Sequence, residues 1–151
     1  MTTTTAHLSL LQLVAAALQA LPSVPAANVY VERAEAIDKD ECPAITLLPG
    51  DNHFETLGAD TAACDLLRAT MAFTVHIHTR GEPHTQQADG AIGDVNAALM
   101  GDPSLGGYAL RLRLASSRPT QALADSTAGA YELGYEATVL VSSNTLALQP
   151  L

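Results

Sequence analysis

His76 and His78 are the pair in this chain with the clearest chemical reach. Two positions apart on an extended strand, with Ile77 between them, they project their imidazoles to the same side. Such a pair can supply two ligands to a metal, with His53 or His84 as a third. The sequence fixes no third ligand, so the pair reads as two solvent-facing histidines on an open sheet face. Asp38, Asp40 and Glu41 cluster three carboxylates, but they lack the alternating ligands and mid-loop glycine of an EF-hand. They read as a solvated acidic loop. Cys64 beside a histidine would make a thiol nucleophile; a core cysteine is the plainer account. No Gly-x-Ser-x-Gly, Walker or His-Glu-x-x-His sequence is present. The expectation is therefore no catalytic residue, no metal and no cofactor.

A second set is electrostatic. Arg111 and Arg113 share one parity, and so do Glu132 and Glu136. On neighbouring strands these pairs would meet across the ladder, each worth ~0.2–1 kcal/mol. The same charges could face another subunit, where they would set partner and register. The residues leave both readings open.

Three alternating stretches position these groups. In residues 69–79, Met71, Phe73, Val75 and Ile77 alternate with Ala72, Thr74, His76 and His78. Tyr108, Leu110, Leu112 and Leu114 alternate with Ala109, Arg111 and Arg113. Residues 131–141 repeat the pattern from Tyr131 to Val141. Each is a strand with one apolar and one polar face, and together they imply an antiparallel sheet whose apolar face needs a cover. Phe73, Val75, Leu110, Leu112, Leu133 and Val139 are expected to be buried there, facing Leu11, Leu18, Ile92, Val95 and Leu99.

The cover comes from two helices. Leu8, Leu11, Ala15, Leu18 and Leu21 follow helical spacing over residues 7–20, stopped by Pro22 and Pro25. Ala88, Ala91, Ile92, Val95, Ala98 and Leu99 do the same after Pro83, though Gly90 and Gly93 weaken that helix. Short strands are expected at 28–33 and 44–48, the latter closed by the turn residues Pro49-Gly50-Asp51-Asn52. Residues 116–130 read as a polar turn region. The order α-β-β-β-α-β-β, with both helices on one face of a mainly antiparallel sheet, is an α+β fold. It forms a single domain over 1–151, with 1–6 and 143–151 as flexible tails.

Bulk composition sets limits. Hydrophobic residues make up 48% and charged residues 15% of the 151, a globular balance. Seven basic against sixteen acidic residues leave a net charge of −9. That charge disfavours phosphate binding, so sequence-specific nucleic-acid binding is not expected. Cys42 and Cys64 make no disulfide framework. The apolar run at residues 8–21 is too short and too broken by glutamine to span a membrane.

The element order and connections resemble the tail terminator proteins of long-tailed bacteriophages, also called minor tail protein U-like or tail completion proteins. The residues that carry the resemblance are Ala20-Leu21-Pro22 before Val29-Tyr30, and Cys42-Pro43-Ala44-Ile45 after an acidic segment. Leu99-Met100-Gly101-Asp102-Pro103-Ser104-Leu105-Gly106-Gly107, closing the second helix, is the most distinctive piece. The resemblance spans nearly the whole chain as an element pattern. It implies a non-enzymatic structural protein of the virion, sited at the tail–head junction. It further implies a homohexameric ring that caps the tail tube, ends its polymerisation and offers the head-joining surface, with the tail tube and head-closure proteins as partners. Under it, the candidate subunit-interface residues are Arg111, Arg113, Glu132, Glu136, His76 and His78. The candidate mobile assembly loop holds Asp51, Asn52, His53, Phe54, Gly58 and Asp60. The rival reading is a small α+β module binding a ligand or peptide on its open sheet face; a hydrolase or metal enzyme built on His76, His78 or Cys64 is the third.

Overall fold

The computed structural model describes residues 4–33, 35, 37–57, 66–80, 84–120 and 128–151. Helix α1 is Ala6–Leu18 and α2 is His84–Gly101. The strands are β1 Val29–Val31, β2 Ala44–Leu57, β3 Leu66–Arg80, β4 Ala109–Thr120, β5 Ala128–Ser142 and β6 Leu148–Gln149. They form one sheet in the order β1-β2-β3-β5-β4, with β6 also on β5. All pairings are antiparallel except β1 with β2. The fold is α+β, with both helices on one face.

The apolar face follows the alternation of β3 and β5. Met71, Phe73, Val75 and Ile77 are buried, and Leu133, Tyr135, Ala137, Val139 and Val141 join them. Leu10, Leu11, Val14 and Leu18 of α1 and Ala88, Ala91, Val95 and Leu99 of α2 close the core from the other side. Phe73 and Tyr135 stack at 5.5 Å between centroids, and the Tyr135 hydroxyl donates to Asn96 Oδ1 at 3.1 Å on α2. Burial pushes that phenol up to about 12. Sheet and helix are thus joined by packing and by one satisfied polar contact.

Four expectations are corrected. The turn residues at 49–52 do not end a strand: β2 runs on to Leu57, and the pairing with β3 slips between Pro49 and Asn52. A bulge absorbs the one extra residue where β1 has already ended, so Pro49 removes no shared ladder bond. Gly50 is required there, because a Cβ would come within 3.0 Å of Ala72 Cβ and 3.1 Å of its carbonyl oxygen. Asp51, Asn52, His53 and Phe54 of the candidate mobile assembly loop therefore lie in strand β2, while Gly58 and Asp60 lie outside the described residues. Next, residues 116–120 extend β4 rather than forming a turn. Residues 143–151 hold a turn and β6, with Ala6 N–H donating to the Leu146 carbonyl at 2.7 Å and Leu151 N–H to Gly107 at 2.9 Å.

The fourth correction concerns faces. Leu110, expected in the core, is 51% exposed, while Ala109 and Leu112 are buried. The register of β4 on β5 slips between Ala109 and Arg111, then again between Leu114 and Ser116. Each bulge inserts one unpaired residue and inverts the parity beyond it.

After α2 the chain turns through Asp102. Its carboxylate accepts from the Ser104 hydroxyl at 2.6 Å and the Gly106 N–H at 2.9 Å. These bonds hold its pKa below the ordinary carboxylate value. Gly106 and Gly107 adopt φ of 78° and 95°, open to glycine at no steric cost. Tyr108 and Ala109 N–H groups both donate to the Ser104 carbonyl, which launches β4.

Candidate functional site

The polar face of the sheet gathers the expected charged residues, because directly paired residues share a face. One row crosses four strands as Thr46, His76, Glu132 and Arg118. A second runs Ala72, Glu136, Arg113, and a third His53, Thr70, Thr138, Arg111. The candidate residues of β3, β4 and β5 therefore do lie on one surface.

The pairings differ from simple expectation. Arg113 donates to Glu136 Oε1 at 2.9 Å. Glu132 meets Arg118 at 3.4 Å and His76 at 3.9 Å, so Arg111 is not its partner. Among the described residues no ion pair involves Arg111. Arg118 was not singled out in the sequence, since residues 116–130 read as a polar turn region; continued strictly from Arg111 and Arg113, the alternation would also put it on the apolar face. The bulge between Leu114 and Ser116 returns it to the polar face. Nothing in the residue types themselves announces that bulge.

His76 and His78 are only partly exposed, a correction to the solvent-facing reading, and their rings stack at 6.5 Å. His78 Nε2 lies 3.0 Å from Thr46 Oγ1. Burial first, then the neighbouring His76 and Arg33, pull the His78 pKa down to about 4. An unfolded histidine protonates near its ordinary value of 6.5. Between those values the unfolded chain takes a proton that the folded chain refuses. Stability is therefore expected to fall as pH drops from about 6.5 toward about 4, and to be unaffected by this group above 6.5. Melting temperatures of wild type and His78→Gln at pH 7 and pH 5 check this; an equal acid loss in both would remove His78 as the cause.

The acidic connection is not a simple solvated loop. Glu41 Oε1 accepts from Arg33 Nη2 at 2.9 Å, and Oε2 from the Tyr30 hydroxyl at 3.0 Å. The Asp38 N–H adds a bond at 3.2 Å, and Arg33 lies 4.5 Å over the Tyr30 ring. The Arg33 hydrogen bonds, then those from Asp38 and Tyr30, lower the Glu41 pKa to about 2. This cluster ties the 3-10 turn at Lys39–Glu41 to the end of β1, a structural duty the sequence reading missed. No sequence motif marks it: the partners are joined only by folding.

Among the described residues no group of three His, Cys, Asp or Glu stands close enough to hold a metal ion. The Cys42 thiol donates to the Asp38 carbonyl at 3.6 Å, and Cys64 and the His84 side chain lie outside the described residues. The polar face offers one open concavity of about 350 Å³, lined by Asp51, His53, Thr70, Ala72 and Glu136. No described helix is long and apolar enough to cross a membrane.

The fold has a known counterpart. It is shared with a chain of the virion of a native gene transfer agent particle, at a TM-score of 0.57 and 13% identity. The likeness covers 91% of this chain and 99% of that one. No family model and no curated protein matches the sequence. At that identity the likeness shows architecture, and side-chain roles must come from this chain's own geometry.

Proposed function

We propose that this chain is a structural virion protein of the tail terminator kind, without catalytic activity. Copies of it form a hexameric ring on the end of the tail tube, stop tube growth and present the surface that the head-closure protein meets. The observation that carries the reading is the end-to-end likeness to a chain of a gene transfer agent virion, which spans nearly all of both chains. The Asp102–Gly107 loop and the order of elements support it from the sequence. The mechanism is geometric: each subunit offers one surface to the next, and rotation closes the ring. With a net charge of −9, such a ring would let DNA pass without gripping it.

Electron microscopy of particles assembled with and without the chain tests the reading. A closed ring at the head-proximal end of the tube is expected when the chain is present, and overlong, headless tubes when it is missing. Tails of normal length in its absence would reject the assignment.

A further inference from the structure

Among the described residues the sheet has two long stretches of unpaired edge. One is the outer side of β4. The other is residues 51–57 of β2, because β1 covers only Ile45, Thr46 and Leu47. Among the described residues no strand pairs with either edge. Of the six large hydrophobic side chains left exposed among those residues, three lie on these two edges: Leu110 and Leu114 (44%) on β4, and Phe54 (42%) on β2. Exposed backbone with apolar side chains is what a pairing strand needs.

The two edges are complementary on both faces. On the polar face β4 carries Arg111, Arg113 and Arg118, and β2 carries Glu55 and His53 by register, with Asp51 in the bulge lining the same concavity as His53 and Glu136. On the apolar face β4 presents Leu114 opposite Tyr135, and β2 presents Phe54 opposite Ala69. They also stand at one level, since the row that begins at His53 ends at Arg111. Three successive antiparallel pairings make β2 and β4 run in opposite directions. A rotation that sets β2 of one copy beside β4 of another, continuing the sheet, therefore makes an antiparallel pair.

We propose that β4 of one copy pairs antiparallel with residues 51–57 of β2 in the next, so that the sheet runs unbroken around the ring. This rests on the ring reading above and names its contact. Arginines on an edge strand also discourage pairing. What they discourage here is a two-fold β4–β4 contact, which would set two arginine rows against each other; an acidic edge is admitted. The existing Arg113–Glu136 and Arg68–Glu55 pairs are solvent-exposed, and they can be shared with a neighbour at small cost. Charge thus selects a head-to-tail contact over a self-complementary one.

The test is sedimentation of the full chain over a range of concentrations. It compares wild type, Arg111→Glu/Arg113→Glu, Asp51→Arg/Glu55→Arg, and an equal mixture of the two variants, with far-ultraviolet circular dichroism confirming that each is folded. Each variant alone has two edges of like sign, and its association is expected to weaken by about tenfold or more. In the mixture every edge again meets its opposite, so association returns to the wild-type level. Leu114→Asn, which leaves charge untouched, is expected to weaken association as well. Edge pairing is overturned if either variant alone associates like wild type, if the mixture stays dissociated, or if wild type is monomeric at every concentration. Those results leave the capping assignment standing, since that is judged separately by tail length when the chain is absent.

Discussion

Phe73→Ala is expected to cost about 3–5 kcal/mol, the usual range for a buried phenylalanine truncated in a packed core. Phe73 is fully buried on β3 and stacks on Tyr135 of β5. Removing its ring takes away a contact from the same tyrosine that reaches Asn96 on α2. The loss therefore loosens the seat of α2 as well as emptying a volume between strands. Domains of this kind are stable by ~5–15 kcal/mol in all, so the variant should melt far below wild type. Urea unfolding followed by circular dichroism measures it. A loss under about 1 kcal/mol, the scale of ordinary surface changes, would show that the ring is not packed.

The second large effect is a contrast along one strand. Leu112→Ala is expected to cost about 2–5 kcal/mol, because Leu112 is only 6% exposed and sits opposite Ala137 under the helices. Leu110→Ala, two residues earlier in the same alternation, is expected to cost less than about 1 kcal/mol in the isolated protein. Strict alternation demands equal effects; the bulge at Leu110 demands unequal ones. Equal losses in the two variants would mean that β4 is regular and Leu110 faces the core. If edge pairing holds, Leu110→Ala should also weaken association while leaving the isolated fold unharmed, which separates the two roles of this strand.

The α+β class, both helices and the inward faces of β3 and β5 were legible in the sequence. Each is a local periodicity long enough to speak for itself: four apolar residues at period two in β3, and two stripes of apolar residues at helical spacing. The polar parity of His76, Glu132, Glu136, Arg111 and Arg113 was legible for the same reason. Three other features were decided only by tertiary structure. Pro49-Gly50-Asp51-Asn52 is strong turn chemistry in isolation, yet β3 is long enough to keep pairing past it, so the same residues become a bulge in a longer strand. In β4, two register slips against β5 expose Leu110 and bring Arg118 to the charged face. A slip of this kind belongs to a pair of strands, and no single stretch of sequence contains it. The Tyr30–Arg33–Glu41 cluster likewise joins residues whose meeting depends on where β1 lies beside β2. Local alternation determined which side chains share a face. Which strand lies next to which, and in what register, was fixed by packing across the sheet, and that arrangement is what leaves an acidic edge and a basic edge at the same level.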